Sequence, residues 1–151
     1  MSTLKILSAT TAAAFVALAA VSMSATPSDA KKGGGSDRFR CDAKGAGETG
    51  FHAKYEERLN KSTLRKKFGV EFEASQGGAF VAGQSVVFSV DSVVVGTLPL
   101  KLVAKGELAA ELELDSQKKP LPPGFPVITA GSLVEAAIGG TTVLGCEVTP
   151  D

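Results

Sequence analysis

From residue 51 onward, apolar and polar positions alternate with a period of two, the mark of a strand with one buried face. In FHAKYEERL (51–59), Phe51, Ala53, Tyr55 and Leu59 share one side; in LRKKFGVEFEA (64–74), Leu64, Phe68, Val70 and Phe72 do so. The Ala, Glu, Leu, Lys and Arg of 53–67 also suit a helix, but alternation on both sides of Asn60 selects two strands. Joining them through Asn60, Lys61, Ser62 and Thr63 sets Leu59 against Leu64, Tyr55 against Phe68, Ala53 against Val70 and Phe51 against Phe72. Apolar then meets apolar at these positions, which is how a buried face fixes register. The same register opposes Lys66 to Glu57, Lys67 to Glu56 and His52 to Glu71. Lys54, Arg58, Lys61 and Arg65 are left without an assigned carboxylate.

Three further hairpins follow. SVVFSVDSVVVGTL (85–98) turns at Asp91-Ser92, packing Val86, Phe88 and Val90 beside Val93 and Val95, with Val87 and Val94 making the other face apolar as well. LKLVAKGELAAELELD turns around Lys105-Gly106, with Leu98, Leu100 and Leu102 facing Leu112, Ala110 and Leu108; Glu107, Glu111, Glu113 and Asp115 fill the outward side. KKPLPPGFP (118–126) is a stiff connection, because proline removes a donor and fixes the backbone. SLVEAAIGGTTVLGCEV closes with a hairpin at Gly139-Gly140. About eight strands with turns every 8 to 12 residues predict an all-β, antiparallel, immunoglobulin-like β-sandwich, with a small closed barrel as the alternative.

Upstream of this domain (37–151) the pattern changes. Lys5 is followed by a nearly uncharged, Ala-rich run from 6 to 23 and then by small residues, the plan of a secretory signal peptide cleaved after Ala30. KKGGGS (31–36) is a flexible linker. No membrane span is expected after cleavage, and the location is periplasmic or secreted. In that compartment the only two cysteines, Cys41 and Cys146, are expected to form an intramolecular disulfide, with intermolecular bridges and free thiols as the alternatives.

The strings RKKFGVEFEA, AGQSVVFSVDSVVVGTLPL, GELAAELELDS and FPVITAGSLVEA, within about 64–137, resemble a pattern found in small exported bacterial proteins of unassigned function. Ser92 stands where that pattern has a hairpin glycine. The resemblance implies export and a β fold, and no activity.

The composition narrows the chemistry. His52 is the only histidine, and there is no G-x-S-x-G elbow, so nucleophilic catalysis has little to build on. One histidine and two bridged cysteines do not make a zinc or copper site. Glu111, Glu113 and Asp115 alternate along a strand, too spread to wrap calcium, and whether they bind it is left open. No phosphate-binding loop is present. The expectation is therefore a non-enzymatic module without cofactor or metal. Charge is distributed unevenly: 31–67 holds eleven Lys and Arg against five Asp and Glu, a net of +6, whereas 68–151 holds four against ten, a net of −6. The leading reading is a binding or structural module of the cell envelope or secretome that meets a protein or glycan through two loops. One is formed by Asn60, Lys61, Ser62 and Thr63; the other contains Leu121 and Phe125. The alternative is electrostatic docking to anionic lipopolysaccharide, phospholipid or glycan, with Arg58, Lys61 and Arg65 as contacts. Nucleic acid is not an expected partner of an exported chain.

Overall fold

A computed structural model describes residues 36–151; the predicted signal peptide and linker residues 31–35, including Lys31 and Lys32, lie outside the described residues. The strands are β1 (Asp37–Lys44), β2 (Gly50–Asn60), β3 (Thr63–Ser75), β4 (Ser85–Val90), β5 (Val93–Pro99), β6 (Lys101–Leu102), β7 (Glu107–Asp115), β8 (Leu133–Ile138), β9 (Thr141–Glu147) and β10 (Thr149–Pro150). They form a six-stranded sheet, ordered β10-β1-β2-β3-β7-β6, and a four-stranded sheet, ordered β5-β4-β8-β9, all antiparallel. Eight strands have six residues or more, matching the predicted number; β6 and β10 are two-residue additions. The sheets are not closed into a barrel, and the architecture is the sandwich. Its likeness to immunoglobulin domains is architectural, since β1, β2 and β3 run consecutively in one sheet.

The β2–β3 hairpin takes the predicted register from Phe51↔Phe72 to Leu59↔Leu64. Asn60 and Thr63 also pair, so the turn shrinks to Lys61-Ser62, with Lys61 at φ 57°. Leu59 and Leu64 face each other but are 61% and 46% exposed, because the hairpin extends beyond the opposing sheet. Two predicted ion pairs are replaced. His52 lies opposite Glu71 in register, but its ring nitrogen bonds the Asp42 carboxylate on β1. Glu56 faces Lys67 but has Arg38 at 3.8 Å and Arg58 at 3.7 Å. The inward pair Lys66–Glu57 forms as expected, at 3.4 Å.

In the second hairpin, Asp91 (φ 48°) and Ser92 (φ 68°) both adopt the left-handed conformation that a tight two-residue turn demands. Ser92 thus does what glycine does elsewhere. Val86, Phe88, Val90 and Val95 are buried, a bulge between Phe88 and Ser89 shifts the pairing beyond it, and Val93, opposite Val90 beside the turn, is 40% exposed. The apolar far face is not covered, since Val94 is 59% exposed. The third hairpin is largely corrected. β5 belongs to the four-stranded sheet, where Leu98 pairs with Val86, and the chain changes sheet at the buried Leu100. Only Lys101↔Ala109 and Leu102↔Leu108 remain of the predicted pairing. The Gly139-Gly140 hairpin forms as predicted, both glycines at positive φ, with a bulge between Ala136 and Ala137.

The core lies between the sheets and is built from Phe51, Tyr55, Phe68, Val70 and Phe72 on one side and Val86, Phe88, Val90 and Val134 on the other. On one long side, Cys41 of β1 and Cys146 of β9 are bridged with Cα atoms 5.8 Å apart, joining the two sheets. The buried Val148 then carries the chain across to β10, which pairs with β1. The opposite long side brings β5 beside β7, where a Cβ on Gly96 would stand 2.6 Å from Leu112 Cδ2.

Candidate functional site

The register sorts the connections by end. Turns 61–62 and 91–92, the 116–132 connection and the start of β1 lie at one end, called here the loop end. The glycine turn 139–140, the 3₁₀ turn Ala104–Gly106 and segments 45–49 and 76–84 lie at the other. Both loops singled out in the sequence therefore belong to the same end. Of nine exposed large apolar residues among the described residues, Leu59, Leu64, Val93, Val94, Val127 and Leu133 are at or next to it. Exposed apolar groups gathered in one region mark interaction surfaces more reliably than scattered ones.

Beneath these residues the loop end is firmly held. Asp115, which the sequence placed on a solvated acidic face, is buried. Its Oδ1 accepts from Arg65 Nε (3.1 Å) and from the Gln117 amide (3.1 Å), and its Oδ2 accepts from Arg65 Nη2 (2.5 Å). Such bidentate, charge-assisted pairs are strong and directional. The Arg65 hydrogen bond, helped by the Gln117 amide against the effect of burial, lowers the Asp115 carboxyl from 3.8 to about 2. The connection is stitched to β3 by Lys66 N–H donating to Ser116 Oγ (2.9 Å) and Ser116 N–H donating to the Lys66 carbonyl (2.9 Å). Across the sandwich, the Leu133 amide donates to Asp91 Oδ1 (2.8 Å) and the Asp91 amide to the Leu133 carbonyl (2.8 Å).

Between the sheets at this end, the Tyr55 hydroxyl donates to Glu57 Oε2 (2.6 Å), and that carboxylate also faces Lys66. Burial first, and the Glu57 carboxylate second, raise the Tyr55 phenol, so it stays a neutral donor. Phe125 puts its ring edge against Phe68 with centroids 5.6 Å apart, and Leu121 is half-buried. Phe125 thus anchors the proline-rich connection, leaving neighbouring exposed residues to face outward. Of the predicted anion contacts, Arg65 is engaged by Asp115 and Arg58 lies near Glu56, while Lys61 is exposed at its turn.

The chemistry elsewhere is limited. His52 has a carboxylate partner in Asp42 on an open strand face, and no hydrogen bond links it to a hydroxyl nucleophile among the described residues. Glu71 beside it has its carboxyl raised, by burial first and then by Glu73 and Glu111, with His52 acting in the opposite sense. Among the described residues no group of three or more His, Cys, Asp or Glu converges as a metal ion would require. None of the described helices is long and apolar enough to cross a membrane.

Sequence reasoning missed Asp115 as the partner of Arg65, because the two, fifty positions apart, meet only when β3 pairs with β7. It also missed the exposure of Val93 and Val94, which sit beside the 91–92 turn at the end of the sheet. No protein-family model, curated protein or solved structure matches this chain.

Proposed function

We propose that this protein is an exported, non-enzymatic binding module of the cell envelope or secretome, and that its loop end contacts a protein or glycan partner. The observation that carries this reading is the gathering, among the described residues, of both candidate loops and six of nine exposed large apolar residues at one end. A scaffold of hydrogen bonds under that end, from Arg65, Asp115, Ser116 and Asp91, presents the surface already ordered, which reduces the entropy lost on binding. The bridged cysteines suit an oxidising compartment, and N-terminal sequencing of the exported chain should return Lys31 as its first residue. The binding test is a glycan array and a cross-linking screen with the mature protein. A variant carrying Leu59→Ser, Leu64→Ser and Val127→Ser is compared with a Val81→Ser control at the opposite end. The reading requires the bound species to be lost only in the loop-end variant, with melting temperatures preserved; retention of binding by that variant overturns it.

A further inference from the structure

The outer face of the six-stranded sheet carries a trough of about 410 Å³ whose floor is Gly69. Two cross-strand rows line it: Arg38, Glu56, Lys67 and Asp115 in one, and Lys54, Gly69 and Glu113 in the next. Nothing stands within 4 Å of where a Gly69 Cβ would be, so the missing side chain leaves the floor open.

Most charges around the trough already have partners. Glu56 lies between Arg38 and Arg58, Asp115 is held by Arg65, and Asp151 pairs with Arg40 at 3.1 Å. Among the described residues, three lining ammonium groups have no carboxylate within 4 Å: Lys54, Lys67 and Lys118. One lining carboxylate, Glu113, has no cation within that distance. The unpaired charge is therefore three positive against one negative. Lys54 on β2 and Lys67 on β3 are diagonal neighbours on the same face, with Cα atoms about 7–8 Å apart. Lysine side chains rooted that near each other on one face can converge on one oxyanion, each giving it a charge-assisted hydrogen bond.

We infer that this trough is an oxyanion site in which Lys54 and Lys67, with Lys118 at the rim, bind the phosphate or sulfate group of a small soluble ligand. The volume fits a monosaccharide-sized molecule. Glu113, across Gly69 from Lys54, accepts hydrogen bonds from hydroxyl groups on the rest of that ligand. The site relocates anion binding from Arg58, Lys61 and Arg65 to lysines without carboxylate partners. Its rim borders the loop end through Lys118, but Lys54, Lys67 and Gly69 lie on the sheet face away from the loop-end substitutions, so the two readings are tested separately.

The test titrates the folded protein at low salt with inorganic phosphate, glucose 6-phosphate, glucose and phosphatidylglycerol vesicles, following the Gly69 amide by NMR. The amide should move with phosphate and glucose 6-phosphate and stay still with glucose. Lys54→Gln and Lys67→Gln should each weaken glucose 6-phosphate binding about tenfold, the loss of one charge-assisted bond. Lys61→Gln should leave it unchanged, and Glu113→Gln should tighten inorganic phosphate. Unchanged melting temperatures show that each variant is folded. The proposal fails if the Gly69 amide does not respond to either soluble anion, if vesicles alone bind, or if Lys54→Gln and Lys67→Gln bind as tightly as the parent.

Discussion

The two long sides of the sandwich are closed by different physics. On the β1/β9 side a covalent bond spans the sheets, linking residues 105 positions apart, and its stabilisation acts largely on the unfolded chain by removing loop entropy. On the β5/β7 side no disulfide does this: the backbone crosses between sheets at the buried Leu100, and Gly96 admits Leu112 at close range. One side is held by a bond that acts whatever the packing around it. The other depends on side-chain volume matching to within a methyl group.

Substitutions can separate the two mechanisms. The largest effect is expected from Cys41→Ala with Cys146→Ala, about 2–5 kcal/mol of unfolding free energy in denaturant titrations. Reducing agent should produce a similar loss in the parent protein and none in the double variant. Leu100→Ala comes next, at about 2–4 kcal/mol from lost burial and the cavity left behind. It should also speed amide exchange in β5 and β6 more than in β1 and β9. Gly96→Ala follows at about 1–3 kcal/mol from overpacking; adding Leu112→Val should recover part of that loss, a coupling that two independent sites would not show.

The smallest effect is in pH. The Asp115 carboxyl is lower in the folded state than unfolded, so the Arg65–Asp115 pair stabilises fully above the ordinary value of 3.8. That contribution disappears as pH falls through the folded value of about 2. Asp115→Asn should flatten the decline in stability between those two values, and melting curves of both proteins across that window provide the check. If they fall in parallel, Asp115 is not the titrating group.

The sequence made these features legible to different degrees, for physical reasons. β2 and β3 could be registered from residue types alone because they are adjacent, uninterrupted and matched on the inner face, apolar against apolar except for the Glu57–Lys66 ion pair. Gly139-Gly140 announced its turn through the residue type that favours positive φ. The Asp91-Ser92 turn was read from its position, without glycine. The β5–β6 passage defeated the alternation, because Leu98, Leu100 and Leu102 look like one continuous strand while the chain changes sheet at their centre. The partner of Arg65, and the lysines without partners around Gly69, depend on which strands become neighbours. Of these, only Arg65 had been picked out as chemistry, and it is engaged by Asp115. The candidate loops were identifiable as loops, but their meeting at one end follows from topology.

The four-stranded sheet has two irregularities, and they share one row: Phe88 pairs with Ala136, and both bulges begin there, one toward β5 and one toward β9. Val95 and Val143 are the extra residues, so each outer strand is one residue longer than its inner partner across that row. A border lengthened on both sides twists away from the flat, regular geometry that another molecule's strand needs in order to add on. β5 contains no charged residue to discourage such pairing. Its protection against self-association is written into backbone shape, and deleting Val95 would be the way to turn this border into a template for aggregation.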